Sequence, residues 1–309
     1  MKRFEKILSI FDSDERDTTA LRLALRLAGD SAGSLSVVHV IPPLPSDIPE
    51  GIGGLDDLKK ALVQAAEASL QSAVDQLPET TVPLDTRVFW GHTAMEVSRV
   101  VVREGFDLVM KGTGRRKRIP GQHLGSVDMR LLRKCPCPVW LVKPGGHETV
   151  TSILATIDPS NTEEDHHVLN ESILELGLSV AEMENADLHV LHAWAPWGES
   201  LLRSRMRSEE FGGYVKQMRS RAARGLTDFL RPFDDAISPM NRHLLEGDPE
   251  VVVPDFVRTH DVDVIVMGTV GRTGVPGFLI GNTAEKILAS VDCSVLAVKP
   301  SGFRTPVDA

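Results

Sequence analysis

Short apolar runs alternate with longer stretches of helical periodicity along the whole chain. The run at residues 7–11 is too short for a helix and reads as a strand. Residues 34–41, 84–90, 107–111 and 138–142 read as four more strands. Between them, Leu55, Leu58, Leu62, Ala66, Leu70, Val74 and Leu77 fall on one helical face. A leucine- and alanine-rich stretch up to Ala28, and residues 94–103 and 127–133, predict further helices. The second half repeats the pattern, with strands predicted at 152–157, 187–194, 238–245, 263–268 and 294–298. Several of these runs are apolar almost throughout, which suits parallel strands covered on both faces. Alternating β and α units imply right-handed crossovers and an α/β, doubly wound parallel sheet. Such sheets take ligands beyond the carboxyl ends of their strands.

The halves also match residue by residue. With a shift of 156, residues 107–144 align with 263–300 without a gap, and 13 of the 38 pairs are identical. Chance would give roughly two or three for average compositions. The glycines Gly112/Gly268 and Gly125/Gly281 are among the matches, with Asp107/Asp263, Thr113/Thr269, Cys137/Cys293 and Lys143/Lys299; Gly91 falls on Gly247. The expected division is therefore two tandem domains, residues 1–146 and 147–309, joined near Pro144-Gly145-Gly146-His147-Glu148. In the first, residues 42–54 (PPLPSDIPEGIGG) form an irregular segment at the ligand-side rim, read as a loop or a lid.

Composition narrows the classes. With 309 residues, each half is long enough to bury its own core. A formal net charge of −9 argues against a general nucleic-acid footprint, so no nucleic-acid partner is expected. No run of about 18 apolar residues exists, so no membrane span is expected, and a cytoplasmic location is the default. Cys135, Cys137 and Cys293 fit neither a C-x-x-C nor a zinc spacing and read as buried small residues.

The chemistry concentrates between Met267 and Lys286. Gly268 and Gly271 allow a backbone to approach an anion without a Cβ in the way. Gly281, Asn282 and Thr283 start a helix, where unpaired amides and the dipole favour phosphate. Duller readings stand beside these. Asn282 with Glu285 would make a capping box that needs no ligand. Asp158, before Pro159, would start a turn. His39 and His192, at matching strand positions, read as interior histidines.

The spacing Gly268-x2-Gly271-x9-Gly281-Asn282 resembles the ATP-binding signature of the universal stress proteins, and two modules in one chain resemble the tandem type of that family. The resemblance implies two five-stranded parallel sheets, each in the order 3-2-1-4-5, with an adenine nucleotide alpha hydrolase-like fold. It implies a stress-response protein that binds ATP or another adenine nucleotide, with Asp158 at the nucleotide and Ala193 or Trp194 beside the adenine. The expected binding residues are thus Asp158, Ala193, Met267, Gly268, Gly271, Arg272, Gly281, Asn282 and Thr283. Asp158 could also meet a nucleotide-bound Mg²⁺.

The first copy departs from this pattern. Arg115 answers Gly271, and Arg115-Arg116-Lys117-Arg118 is either a solvated basic loop or an attraction for anions. Weak or absent nucleotide binding is expected there. No G-x4-G-K-[ST] loop and no G-x-S-x-G elbow occurs, so a binding role is expected over catalysis, with slow ATP hydrolysis and a nucleotide-independent ligand or protein scaffold as alternatives. The apolar last strands of the two copies are edges that need cover; the resemblance implies that such edges pair between modules, here within the chain as a pseudo-dimer. Whether two chains then associate as a homodimer is not written in the sequence.

Overall fold

The computed structural model describes residues 4–12, 18–45, 54–114, 124–145, 149–161, 163–269, 280–300 and 302–307. The first copy contains β1 (Lys6–Ile10), α1 (Thr19–Asp30), β2 (Ser34–Ile41), α2 (Leu55–Val74), β3 (Leu84–Trp90), α3 (Thr93–Glu104), β4 (Leu108–Gly112), α4 (Ser126–Lys134) and β5 (Val139–Val142). The second contains β6 (Ser152–Thr156), α5 (Glu164–Glu184), β7 (Asp187–Trp194), α6 (Glu199–Arg205), α7 (Ser208–Leu230), β8 (Arg242–Glu246), α8 (Pro249–Thr259), β9 (Val264–Gly268), α9 (Asn282–Ser290) and β10 (Ser294–Val298).

All ten strands form one sheet in the order β3-β2-β1-β4-β5-β10-β9-β6-β7-β8. Each half therefore has the order 3-2-1-4-5, as the family resemblance implied. Pairing is parallel within each copy. It is antiparallel only at the junction, where Leu141 opposes Val295 and Val139 opposes Ala297. The two sets of strands therefore run in opposite directions, and their ligand-side ends face opposite ways. The junction also removes both apolar edges at once, burying Trp140, Leu141, Val295 and Leu296.

One element starts later than its sequence suggests. Residues 238–241 are not strand: Pro239–Asn241 forms a 3-10 turn in which Ser238 Oγ accepts from the Met240 amide, and β8 begins only at Arg242. Helix α2 stops at Val74, and Leu77 closes a turn by donating its N–H to the Val74 carbonyl. Of the irregular rim segment, residues 46–53 lie outside the described residues.

Several identities between the copies have structural causes. Asp107 Oδ2 accepts from the amides of Glu5 (2.7 Å) and Lys6 (3.0 Å). Asp263 Oδ2 accepts from the amides of Thr151 (2.7 Å) and Ser152 (3.1 Å). Each aspartate thus fastens the start of its copy's first strand to the start of the fourth. Gly91 and Gly247 sit at φ of 140° and 138°, a region that favours glycine. Lys143 and Lys299 reach across the junction. Lys143 Nζ lies 3.0 Å from Asp292 Oδ2, and Lys299 Nζ donates to the Leu132 carbonyl at the end of α4. Burial brings the Lys299 ammonium down to about 8. Cys137 and Cys293 are thiols that burial holds up, Cys293 to about 12. That suits small core residues and disfavours reactive thiolates.

Candidate functional site

In the second copy β6 pairs with β9 on one side and β7 on the other, so the strand order reverses between β6 and β9. A crevice at that reversal is where an open α/β sheet takes its ligand. Three segments meet at these carboxyl ends: Asp158 after β6, Ala193 and Trp194 closing β7, and Gly268-Thr269 closing β9. The sheet pairing alone makes them neighbours.

The start of α9 is fastened to the end of β9. Gly281 is the residue before the helix, and its N–H donates to the Thr269 carbonyl at 2.9 Å. The expectation that the Gly281 amide is free for an anion is therefore corrected. Among the described residues, the first-turn amides of Asn282, Thr283 and Ala284 have no acceptor, since the next amide, Glu285, already bonds to the Gly281 carbonyl at 2.9 Å. No side chain among the described residues caps this helix. The Asn282–Glu285 capping box does not form, because Asn282 is the first helical residue rather than the cap. Glu285 instead pairs with Arg133 of the first copy at 2.8 Å.

Two further residues serve different ends from those expected. A Cβ on Gly268 would come 2.9 Å from Leu169 Cδ2 of α5, so the missing side chain admits that helix. The Met267 side chain is buried with Ile280, Ala284 and Ile287 beneath α9. Gly271 and Arg272 lie outside the described residues, as does the first copy's basic loop from Arg115 to Arg118. Ala193 is half-buried and Trp194 buried, so of the two only Ala193 presents appreciable surface.

Asp158 is exposed, and its carboxylate accepts from the Ser160 amide at 3.1 Å and from the Ser160 hydroxyl. That is the turn foreseen before Pro159, and it leaves the carboxylate at the crevice. Its backbone is gripped from two sides. The Asn170 side chain on α5 accepts from the Asp158 amide (3.2 Å) and donates to the Asp158 carbonyl (3.0 Å). His192 Nδ1 lies 3.3 Å from the Ile157 carbonyl. His39 Nδ1 makes the matching contact, 3.0 Å, to the Phe11 carbonyl. The two histidines are structural braces, and burial lowers the His192 pKa and keeps its ring neutral. Two polar atoms here have no partner among the described residues: His192 Nε2 and Thr269 Oγ1, on residues 2% and 0% exposed. Thr269 is not among the expected binding residues; its identity with Thr113 is the one signal of it in the sequence.

The first copy fastens its fourth strand and helix by other means. Lys111 occupies the position of Met267 and Asp128 that of Ala284. Lys111 Nζ lies 2.9 Å from Asp128 Oδ1 and donates to the Gly112 carbonyl at 2.7 Å, while Asp128 Oδ2 accepts from the Gly125 amide at 2.8 Å. Both side chains are nearly fully buried. An internal ion pair thus stands where the second copy has an apolar contact and a backbone hydrogen bond. The same alignment that revealed the repeat carried the signal, as two compensating changes of charge.

At the other end of β7 and β8, His189, His243, His260 and Phe256 cluster, with His189 Nδ1 3.1 Å from His243 Nε2. Burial first, then the neighbouring histidines, lowers His243 to about 4. The unfolded chain therefore binds more protons between pH 4 and about 6.5, so stability falls as pH drops through that window. Allowing for partial exposure, the loss is expected to be about 1–2 kcal/mol. Urea midpoints at pH 7 and pH 4.5 check this, and His243→Gln should shrink the difference.

A model of the Universal stress protein family matches the chain twice, over residues 3–143 and 151–299. The chain belongs to the universal stress protein family, a stress-response family. It is 26% identical to universal stress protein E of Photorhabdus laumondii over 314 residues, covering 100% of this chain and 99% of that one. It is 25% identical to universal stress protein E of Escherichia coli K12, covering 100% and 98%. Among solved structures, a functionally unknown protein of Pseudomonas aeruginosa PAO1 aligns with TM-score 0.67 at 24% identity, over 97% of this chain and 94% of that one. A universal stress protein of Archaeoglobus fulgidus aligns with TM-score 0.58 at 16% identity, over 96% and 98%. Both establish the fold over both copies. No helix among the described residues is long and apolar enough to cross a membrane.

Proposed function

We propose that the second copy binds an adenine nucleotide, ATP in the first instance, and that the protein acts in the stress response through the occupancy of that site. The observation that carries this reading is the uncapped start of α9, pinned beside the end of β9 by the Gly281–Thr269 hydrogen bond of 2.9 Å. It leaves the Asn282, Thr283 and Ala284 amides at the switch-point crevice, where a helix N-terminus favours phosphate. Hydrogen bonds to a charged group contribute about 1.5–3 kcal/mol each, so three such donors supply a large share of the roughly 8 kcal/mol of micromolar binding. In this reading Asp158 lies at the nucleotide and Ala193 flanks the adenine, as the family resemblance implies. Gly268 serves by letting α5 close over β9, and Gly271 and Arg272 stay in the proposal on the spacing of the glycine motif alone. A Mg²⁺ carried by the nucleotide would find its protein oxygen at Asp158.

A second reading has one observation in its favour. A cavity of about 1240 Å³ is lined by none of these residues; it lies between the copies, with Leu23, Trp140, Val142 and Val264 among its walls. Trp140 Nε1 is buried without a partner among the described residues. A ligand with an apolar body suits those walls, independently of any nucleotide. Native mass spectrometry of the purified protein separates the readings by the mass that stays bound. Equilibrium binding of labelled ATP tests the first directly: folded protein that takes up no adenine nucleotide refutes it.

A further inference from the structure

The described contacts around Asp158 hold an asymmetry between the copies. Both copies carry a histidine that braces the carbonyl before the aspartate, at 3.0 Å in the first and 3.3 Å in the second. Only the second adds an amide side chain. Asn170 lies in the middle of α5, 4% exposed, and both of its polar atoms are spent on the backbone of Asp158. The corresponding helix α1 reads TALRLALRLAGD and has no Asn or Gln to do this. A buried asparagine is a poor choice for a helix interior, where leucine costs nothing in polar burial and has the better propensity. The asparagine therefore occurs in the copy that keeps the glycine motif and not in the copy that has lost it.

We propose that Asn170 is a positioning residue for the adenine-nucleotide site, acting through Asp158. The inference rests on the nucleotide reading above. The Asn170 carboxamide fixes the peptide groups on both sides of the Asp158 Cα, while His192 holds the preceding carbonyl. The loop after β6 then has one backbone course, and the Asp158 carboxylate is delivered to the crevice without an ordering cost at binding. Helix α1 of the first copy has no Asn or Gln with which to make this second grip.

The test is a double-mutant cycle on the full chain, with ATP affinity as the readout. Asn170→Leu keeps the volume and supplies the residue type that fills α1. It is expected to weaken ATP about tenfold while the thermal unfolding curve stays close to that of the unaltered protein. In an Asp158→Ala background the same change is expected to have no further effect. Unchanged affinity in Asn170→Leu, or an equal loss in the Asp158→Ala background, overturns the proposal. If the unaltered protein binds no ATP, the nucleotide reading itself has failed, a result distinct from a silent Asn170. A measurement without variants covers poor folding of Asn170→Leu. The Asp158 amide, which donates to Asn170, should exchange slowly even without ATP, and fast exchange there in folded protein counts against the proposal.

Discussion

Replacing Asp128 by alanine is expected to destabilise the protein by about 3–5 kcal/mol, because it strands the Lys111 ammonium in the core. Lys111 and Asp128 have side chains only 8% and 2% exposed, and their charged atoms are 2.9 Å apart. Water cannot readily replace the lost partner, and the Gly125 amide loses its acceptor as well. The companion experiment makes the prediction specific. Lys111→Met with Asp128→Ala installs the pair found in the second copy, Met267 over Ala284. That double variant is expected to recover most or all of the loss, since replacing a buried ion pair by apolar side chains is often neutral or stabilising. Urea unfolding midpoints of the single and double variants measure both. A cost below about 1 kcal/mol for Asp128→Ala, or a double variant no better than the single, would show that the pair is not dry.

Replacing Gly281 by aspartate is expected to abolish nucleotide binding while leaving the fold at least as stable. Gly281 has φ −60° and ψ 143°, an extended conformation that aspartate adopts without strain. Aspartate also caps a helix better than glycine by a few tenths of a kcal/mol, so α9 gains. The same carboxylate places negative charge where the phosphates would sit and takes up the first-turn amides for itself. A loss of at least about 100-fold in ATP affinity is expected, about 2.8 kcal/mol. Opposite signs in stability and affinity distinguish this outcome from general damage. ATP titration alongside thermal unfolding reads both, and full affinity in Gly281→Asp removes α9 from the site.

The architecture was legible because its signals are local and periodic. The runs that became β6, β7, β9 and β10 are apolar enough to name strands. The gap-free match over 38 positions set the two copies against each other. The β5–β10 junction followed from asking what covers two apolar edges. Strand β8 was placed four residues early, because Ser238 and Pro239 look compatible with a strand until the hydroxyl cap of the 3-10 turn is seen. Site residues were harder, because glycine has more than one use. Gly268 reads like an anion-facing glycine, yet the space it leaves is filled by Leu169, which lies 99 residues earlier and is brought there by α5. The free Gly281 amide was misjudged for a similar reason: its acceptor, the Thr269 carbonyl, lies across the connecting loop. Asn170 and the Lys111–Asp128 pair escaped notice because their meaning lies in contacts between elements. A polar residue within a helical pattern does not announce which backbone it will meet.

The central claim is that one nucleotide site exists per chain and that it belongs to the second copy. Calorimetric titration of the full chain with ATP, repeated on Gly281→Asp and on the matching first-copy change Gly125→Asp, tests it most directly. The account predicts one ATP per chain, lost in Gly281→Asp and kept in Gly125→Asp. Two ATP per chain, none, or a loss produced by Gly125→Asp instead would contradict it.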